Sequence, residues 1–231
     1  ITRCLAKAID YDTTKGHELA KLLMQRNELM VRRAMADVLT RLFRRLGDEA
    51  LPFYYQLKDD SDSDILAAVS TTSADLRFLD VDMWAENLVE LSNHELPVVR
   101  RNLVPSLREY FETFPDDTRK LLPVMWQDGD EVVRTRMREL LIKMSDISSI
   151  QFGARITDLR QHGCDLSALW RLMDARRKGS SEAWKSWLSG EGEMPETIET
   201  MRHVSTMQAP EELPDLSEAL ETLDEELGFL D

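Results

Sequence analysis

Residues 95–146 read ELPVVRRNLVPSLREYFETFPDDTRKLLPVMWQDGDEVVRTRMRELLIKMSD, and this stretch decides the fold. Apolar residues recur every three or four positions through three segments, which are separated by Phe114-Pro115-Asp116-Asp117 and by Asp128-Gly129-Asp130. That is the pattern of helix, short acidic turn, helix, tight turn, helix. The first and third segments open alike, with Val98-Val99-Arg100-Arg101 and Val132-Val133-Arg134-Thr135, at an offset of 34 residues. One step of 34 back from Val99 reaches Ile65 in SDSDILAAVS, and a second reaches Val31 in NELMVRRAMADVL.

The offset holds column by column. Val31, Ile65, Val99 and Val133 form one column; Met35, Val69, Leu103 and Met137 form a second; Leu42, Leu76, Tyr110 and Met144 form a third. In the preceding helix of each unit the columns are Ala20, Tyr54, Leu88, Leu122 and Leu23, Leu57, Leu91, Met125, extended by Ile156 and Leu159. Agreement in one column is chance; agreement in five defines a repeated helix pair. Such a unit cannot bury its apolar faces alone, so neighbouring units must stack into a continuous core.

The period is shared with tetratricopeptide repeats, but their pattern of small and aromatic residues is missing. The units resemble HEAT-like repeats, in which the second helix opens with an acidic residue followed by Val-Arg. The openings from Glu28 to Arg32, Glu95 to Arg100 and Asp130 to Arg134 carry this likeness, while the second unit has Leu66 in place of the arginine. The resemblance spans about residues 16–160. It implies an all-α fold, an α-solenoid of HEAT-like helical hairpins with an irregular helical C-terminal cap. It also implies the work most such proteins do, as scaffolds and adaptors.

Composition agrees with a helical chain of this kind. Hydrophobic residues make up 42% and charged residues 31% of 231 positions. Nine glycines and eight prolines leave little turn chemistry for a many-stranded sheet. No apolar run approaches the roughly 18 residues of a membrane span. The chain opens on Ile1 without a signal-like segment and reads as a fragment of a longer polypeptide. Two cysteines, Cys4 and Cys164, are too few for a disulfide framework and point to a reducing, cytoplasmic setting.

The net charge of −14 is uneven. Residues 201–231 hold one basic residue, Arg202, against nine acidic ones, whereas residues 1–50 hold ten Lys and Arg against seven Asp and Glu. A phosphate-tracking surface needs clustered, uncompensated cations, so this balance argues against broad nucleic-acid binding.

Three regions follow. Residues 1–146 carry the repeats, with a partial helix and a loop expected up to position 15, and with Gly47 ending a helix that Asp48 would follow as the next cap. Residues 147–208 read as an irregular cap or small appended helical domain. It holds an amphipathic helix with Leu166, Leu169, Trp170 and Met173, a short helix with Trp184, Trp187 and Leu188 between glycines, and another beginning at Pro195. Residues 209–231 read as an acidic amphipathic tail helix, in which Leu216, Leu220, Leu223, Leu227 and Leu230 fall at spacings of 4, 3, 4 and 3. So narrow a leucine seam needs an apolar surface opposite it.

Candidate binding residues are the arginines after the valine column, Arg33, Arg101 and Arg136 foremost, and the tail leucines Leu216, Leu220, Leu223 and Leu227. The arginines suit an acidic partner or phosphate. Acids stand close by in every unit, however, and favour a ladder of ion pairs between units. The tail suits a groove on another protein or on the chain's own terminal repeat. His17, His94, His162 and His203 are scattered, with no ligand spacing, so no metal site is expected. Cys164 lacks an identifiable base and reads as a packed thiol. The five tryptophans, at helical spacing beside leucines, read as core rather than as base-stacking platforms. A phosphate loop, GxSxG, HExxH and Cys-x-x-Cys are all missing, and no cofactor is called for.

The sequence therefore points to a non-enzymatic scaffold, adaptor or regulatory subunit. Its partner would be another protein or the rest of a larger polypeptide. Two rival readings exist. One is a DNA-repair enzyme of the HEAT-like glycosylase type; the other is an inhibitory or assembly protein with an acidic latch.

Overall fold

The computed structural model describes residues 2–196, and every regular element among them is helical. Helix α1 (Thr2–Tyr11) and α2 (Thr13–Met24) are separated by Asp12 alone. The loop expected before His17 is thus a one-residue break. Asp12 takes an extended backbone, and its carboxylate accepts the Lys15 N–H at 3.1 Å, an ordinary N-cap. Gly16 makes the tight crossing possible, because a Cβ there would lie 2.5 Å from the Ile9 Cα.

Helix α3 (Leu29–Leu46) ends at Gly47, whose positive φ of 58° lets the chain turn away. A 3-10 turn, Gly47–Ala50, leads into α4 (Leu51–Lys58). Asp48 does not cap α4 as expected: it is spent inside the 3-10 turn, and α4 starts on Ala50 without a side-chain cap, with proline in its first turn.

Helix α5 (Ser63–Thr72) is capped by Asp62, whose carboxylate receives the N–H groups of Asp64 and Ile65. It is the shortest of the second helices, and its sequence explains why. The hydroxyls of Ser70, Thr71, Thr72 and Ser73 all donate back to carbonyls three or four residues earlier. They thereby compete with helix propagation. The segment Ser73–Phe78 continues as a 3-10 helix.

Asp80 caps α6 (Val81–Ser92). Then come α7 (Pro97–Thr113) and α8 (Pro115–Trp126), separated by Phe114, and α9 (Glu131–Ile147), capped by Asp130. Ser148 divides α9 from α10 (Ser149–Gln161). Last come α11 (Ser167–Arg176) and α12 (Ser180–Ser189), the latter bracketed by Gly179 and Gly190, both left-handed.

Packing follows chain order. Helix α3 lies on α5, α5 on α7 and α7 on α9, while α2, α4, α6 and α8 each pack on the helix that follows them. Every residue of the five apolar columns is buried except Leu23, which is half-covered beside the fully packed Met24. Each large column residue contributes about 1.5–3 kcal/mol through removal from water. The C-terminal helices join the same core. Phe152 meets Trp184 edge-on at 4.6 Å between ring centroids, and Trp184 meets Trp187 at 5.8 Å. The Trp126 indole N–H reaches the Asp165 carbonyl at 3.1 Å. Among the described residues no helix is long and apolar enough to cross a membrane. The leucine seam at 216–230, most of the helix expected from Pro195 onward, and His203 lie outside the described residues.

Candidate functional site

The arginines that open the second helices are mostly committed to acids in the next turn along the chain. Arg32 Nε donates to Asp60 at 2.7 Å, and Arg33 grips Asp62 through Nε at 3.0 Å and Nη2 at 2.8 Å. One 68-residue step later the arrangement recurs: Arg100 grips Asp128 at 2.7 and 2.9 Å, and Arg101 grips Asp130 through Nε at 2.8 Å and Nη2. The Arg101 guanidinium, together with the N–H groups of Val132 and Val133, holds the Asp130 carboxyl far below the usual carboxylate range. Arg33 depresses Asp62 in the same way.

These arginines also fasten their own loops. Arg32 donates to the Asn27 carbonyl, Arg100 to those of His94 and Glu95, and Arg134 to that of Asp128. The rung is missing from α5, where Leu66 is buried in place of an arginine. There Asn102 of α7 reaches back instead, donating to the Ala67 carbonyl at 3.0 Å.

Arg136 is different. Its Nη1 donates to the Arg101 carbonyl at 2.7 Å. That carbonyl lies four residues before Pro105, which sits inside α7 and has no N–H to give it. Arg136 of one helix thus completes the hydrogen-bonding of its neighbour. Its guanidinium forms no ion pair with a carboxylate among the described residues, and neither does Lys143 one face-repeat along α9.

Both cations flank an open groove of about 560 Å³ between α7 and α9. Val104, Pro105, Leu140 and Ile147 give it an apolar floor, and Arg108, Arg136 and Lys143 line it together with Glu139 and Asp146. The two acids are engaged elsewhere, Glu139 with Arg176 at 3.9 Å and Asp146 with Arg177 at 2.6 Å. Arg108 is likewise paired, with Glu112 at 3.2 Å, so the groove offers an apolar floor and the cations Arg136 and Lys143. Sequence reasoning found Arg136 but missed Lys143, Arg108 and the floor. The signal was present in the 136, 140, 143, 147 spacing along α9, opposite the proline of α7.

A second groove, between α6 and α8, has the opposite character: Val89, Leu121 and Val124 with Glu86, Glu90 and Asp117, against a single cation, Lys120. Near the amino end Arg41 and Arg45 share Asp10 at 2.9 and 3.5 Å, with Arg44 alongside.

The remaining candidates have structural surroundings. His17 Nδ1 lies 3.0 Å from Glu49, His94 Nδ1 accepts the Leu96 N–H at 3.1 Å, and His162 Nδ1 lies 2.8 Å from the Asp158 carbonyl. Cys164 is buried, with Gln127 donating to its sulfur at 3.2 Å. Trp84, Trp126 and Trp184 are buried, and Trp170 and Trp187 partly so. Among the described residues no cluster of His, Cys, Asp and Glu could hold a metal ion. Arg155 and Asp158, 7% and 6% exposed, face each other at 3.6 Å in α10, and Arg119 approaches the other carboxylate oxygen at 3.6 Å. Burial lowers the Arg155 pKa.

No family model matches the sequence, and no curated protein matches it.

Proposed function

We propose that this chain is a HEAT-like α-solenoid that works as a non-enzymatic scaffold or adaptor, binding a partner protein along its layer of second helices. The observation that carries this reading is the groove between α7 and α9. It pairs an apolar floor with Arg136 and Lys143, two cations that no described carboxylate neutralises. A partner segment with apolar anchors and acidic flanks fits that chemistry. The serial packing of α3, α5, α7 and α9 supports the solenoid assignment, as does the burial of the apolar columns.

The pairing of Arg32, Arg33, Arg100 and Arg101 weighs against the nucleic-acid reading, because cations already held by aspartates displace few counterions from a phosphate backbone. The test is affinity capture from the native host with the full chain and with its Arg136→Glu/Lys143→Glu variant, alongside a mobility shift on duplex DNA at low salt. The proposal expects a discrete partner that the double variant loses, and no shift. Salt-sensitive DNA binding, or a partner unaffected by the charge reversal, refutes it.

A further inference from the structure

Arg136 is held in place by the helix across from it. The Arg101 carbonyl, left without an in-helix donor by Pro105, accepts from Arg136 Nη1 at 2.7 Å. Arg100 divides its donors in the same way: Nη1 serves the carbonyls of His94 and Glu95, while Nε and Nη2 grip the Asp128 carboxylate. The Nε–Nη2 edge is also the one that Arg33 and Arg101 lay against Asp62 and Asp130. On Arg136 that edge has no hydrogen-bond partner among the described residues, and the exposed side chain lines the groove between α7 and α9. A guanidinium pinned at Nη1 with its fork open is a carboxylate receptor whose side-chain entropy is already lost.

A second cation, the exposed Lys143, stands two turns on, about 10 Å along the axis of α9. Leu140 lies between the two on the same face, opposite Val104 and Pro105. Two acids seven residues apart on a helix match that spacing. Two acids three residues apart on an extended chain, at about 3.3 Å per residue, match it nearly as well. The walls decide between them. From Arg136 to Lys143 and from Val104 to Arg108 both walls are continuous α-helix, whose backbone groups pair internally, and the Arg101 carbonyl is taken. An extended segment would bring bare N–H and C=O groups to a surface that has no backbone partner for them. A helix arrives with its own already paired.

We propose that the groove binds an amphipathic helix of a partner protein, with acidic residues at i and i+7 and large apolar residues at i+3 and i+4. Arg136 grips one acid through Nε and Nη2, Lys143 meets the other, and the apolar pair lies over Leu140 and Pro105. Pro105 is also a positioning residue, since the carbonyl it frees holds Arg136. This rests on the assignment of the groove to a partner and adds the partner's conformation and charge register.

Fluorescence anisotropy with the full chain and labelled synthetic peptides tests it. The probe is an alanine- and glutamine-based peptide of about 18 residues, long enough to form a helix, with Glu at i and i+7 and Leu at i+3 and i+4. It should bind at least tenfold more tightly than an isomer with Glu at i and i+5, on different sides of the helix, or than a version broken by a central proline. Arg136→Gln/Lys143→Gln should weaken the first peptide at least tenfold, with the helical circular dichroism unchanged. Pro105→Ala should weaken it about threefold by loosening Arg136 and should change nothing in the Arg136→Gln background. Binding of no peptide, indifference to the register or to the central proline, or a Pro105→Ala effect that persists without Arg136 overturns the inference. Partner capture that Arg136→Glu/Lys143→Glu abolishes would leave the groove's assignment standing even then, so the two proposals fail separately.

Discussion

Replacing Asp128 by alanine should destabilise the fold by about 3 kcal/mol, which follows from the burial of its ion pair. The Asp128 side chain is 6% exposed and that of Arg100 14%. The carboxylate accepts from Arg100 Nε at 2.7 Å, Arg100 Nη2 at 2.9 Å and the Asp130 N–H at 2.8 Å. Removing one partner of a buried pair costs about 3–5 kcal/mol, because the survivor is left desolvated. Arg100 keeps the carbonyls of His94 and Glu95, which places the cost at the lower end. Arg100→Met should cost a similar amount. The double variant should lose much less than both singles together, with a coupling of about 2 kcal/mol.

The penalty should also depend on pH. Burial alone would raise the Asp128 carboxyl, but Arg100 and the Asp130 N–H outweigh it and hold it below its usual value. The native state therefore binds this proton less readily than the unfolded chain. The stabilisation is complete above about pH 4, the ordinary carboxylate value, and disappears as the pH falls through the lower native value. Urea unfolding of the four proteins at neutral pH and in acid measures all of this. Single-variant effects that add to within about 0.5 kcal/mol would show that the pair does not couple and would refute the argument.

Other substitutions probe other joints. Gly16→Ala should cost about 2–3 kcal/mol, since its Cβ meets the Ile9 backbone and overpacking of that kind cannot relax. Gly153→Ala meets side chains rather than backbone, the ring edge of Trp187 and the methyl end of Met194, and should cost less than half as much in the same denaturation assay. Arg136→Met should cost about 1 kcal/mol, one exposed charge-assisted hydrogen bond. In a Pro105→Ala background, which returns an N–H to the Arg101 carbonyl, that cost should vanish; an undiminished cost would mean that Arg136 acts elsewhere. Trp184→Ala should cost about 3–5 kcal/mol for a buried aromatic and should remove the near-ultraviolet dichroism of the Phe152–Trp184–Trp187 cluster.

The all-helical fold was legible because the apolar columns report burial directly. A residue that must be dry in one unit must be dry 34 positions later, and Val99, Leu103 and Tyr110 are. Boundaries were less legible where hydroxyls or caps decide them. Nothing in the periodicity distinguishes Leu76 on a 3-10 helix from its counterparts on α-helices, because the cause is the run of Ser and Thr before it. Asp48 looked like a cap for the same reason that Asp62 and Asp130 are caps, yet the 3-10 turn leaves it no free helix N–H. At the candidate site the ion pairs were foreseeable, since acids and arginines recur with the repeat. The groove was not, because it depends on how α7 and α9 lie across from each other, which no single-helix pattern encodes.

The double grip of Arg32 and Arg100 has a mechanical consequence. Each guanidinium clasps a carbonyl of the turn before it and a carboxylate of the turn after it, so tugging one turn drags its predecessor. Arg134 extends the linkage by holding the Asp128 carbonyl. The transmission is interrupted at Leu66, which has nothing to clasp with. The guanidinium linkage therefore ties the turns into two groups, residues 27–62 and 93–134, and between them the connection passes instead through the packing of α5 on α7, through Asn102 on the Ala67 carbonyl and through the Lys58–Glu90 pair.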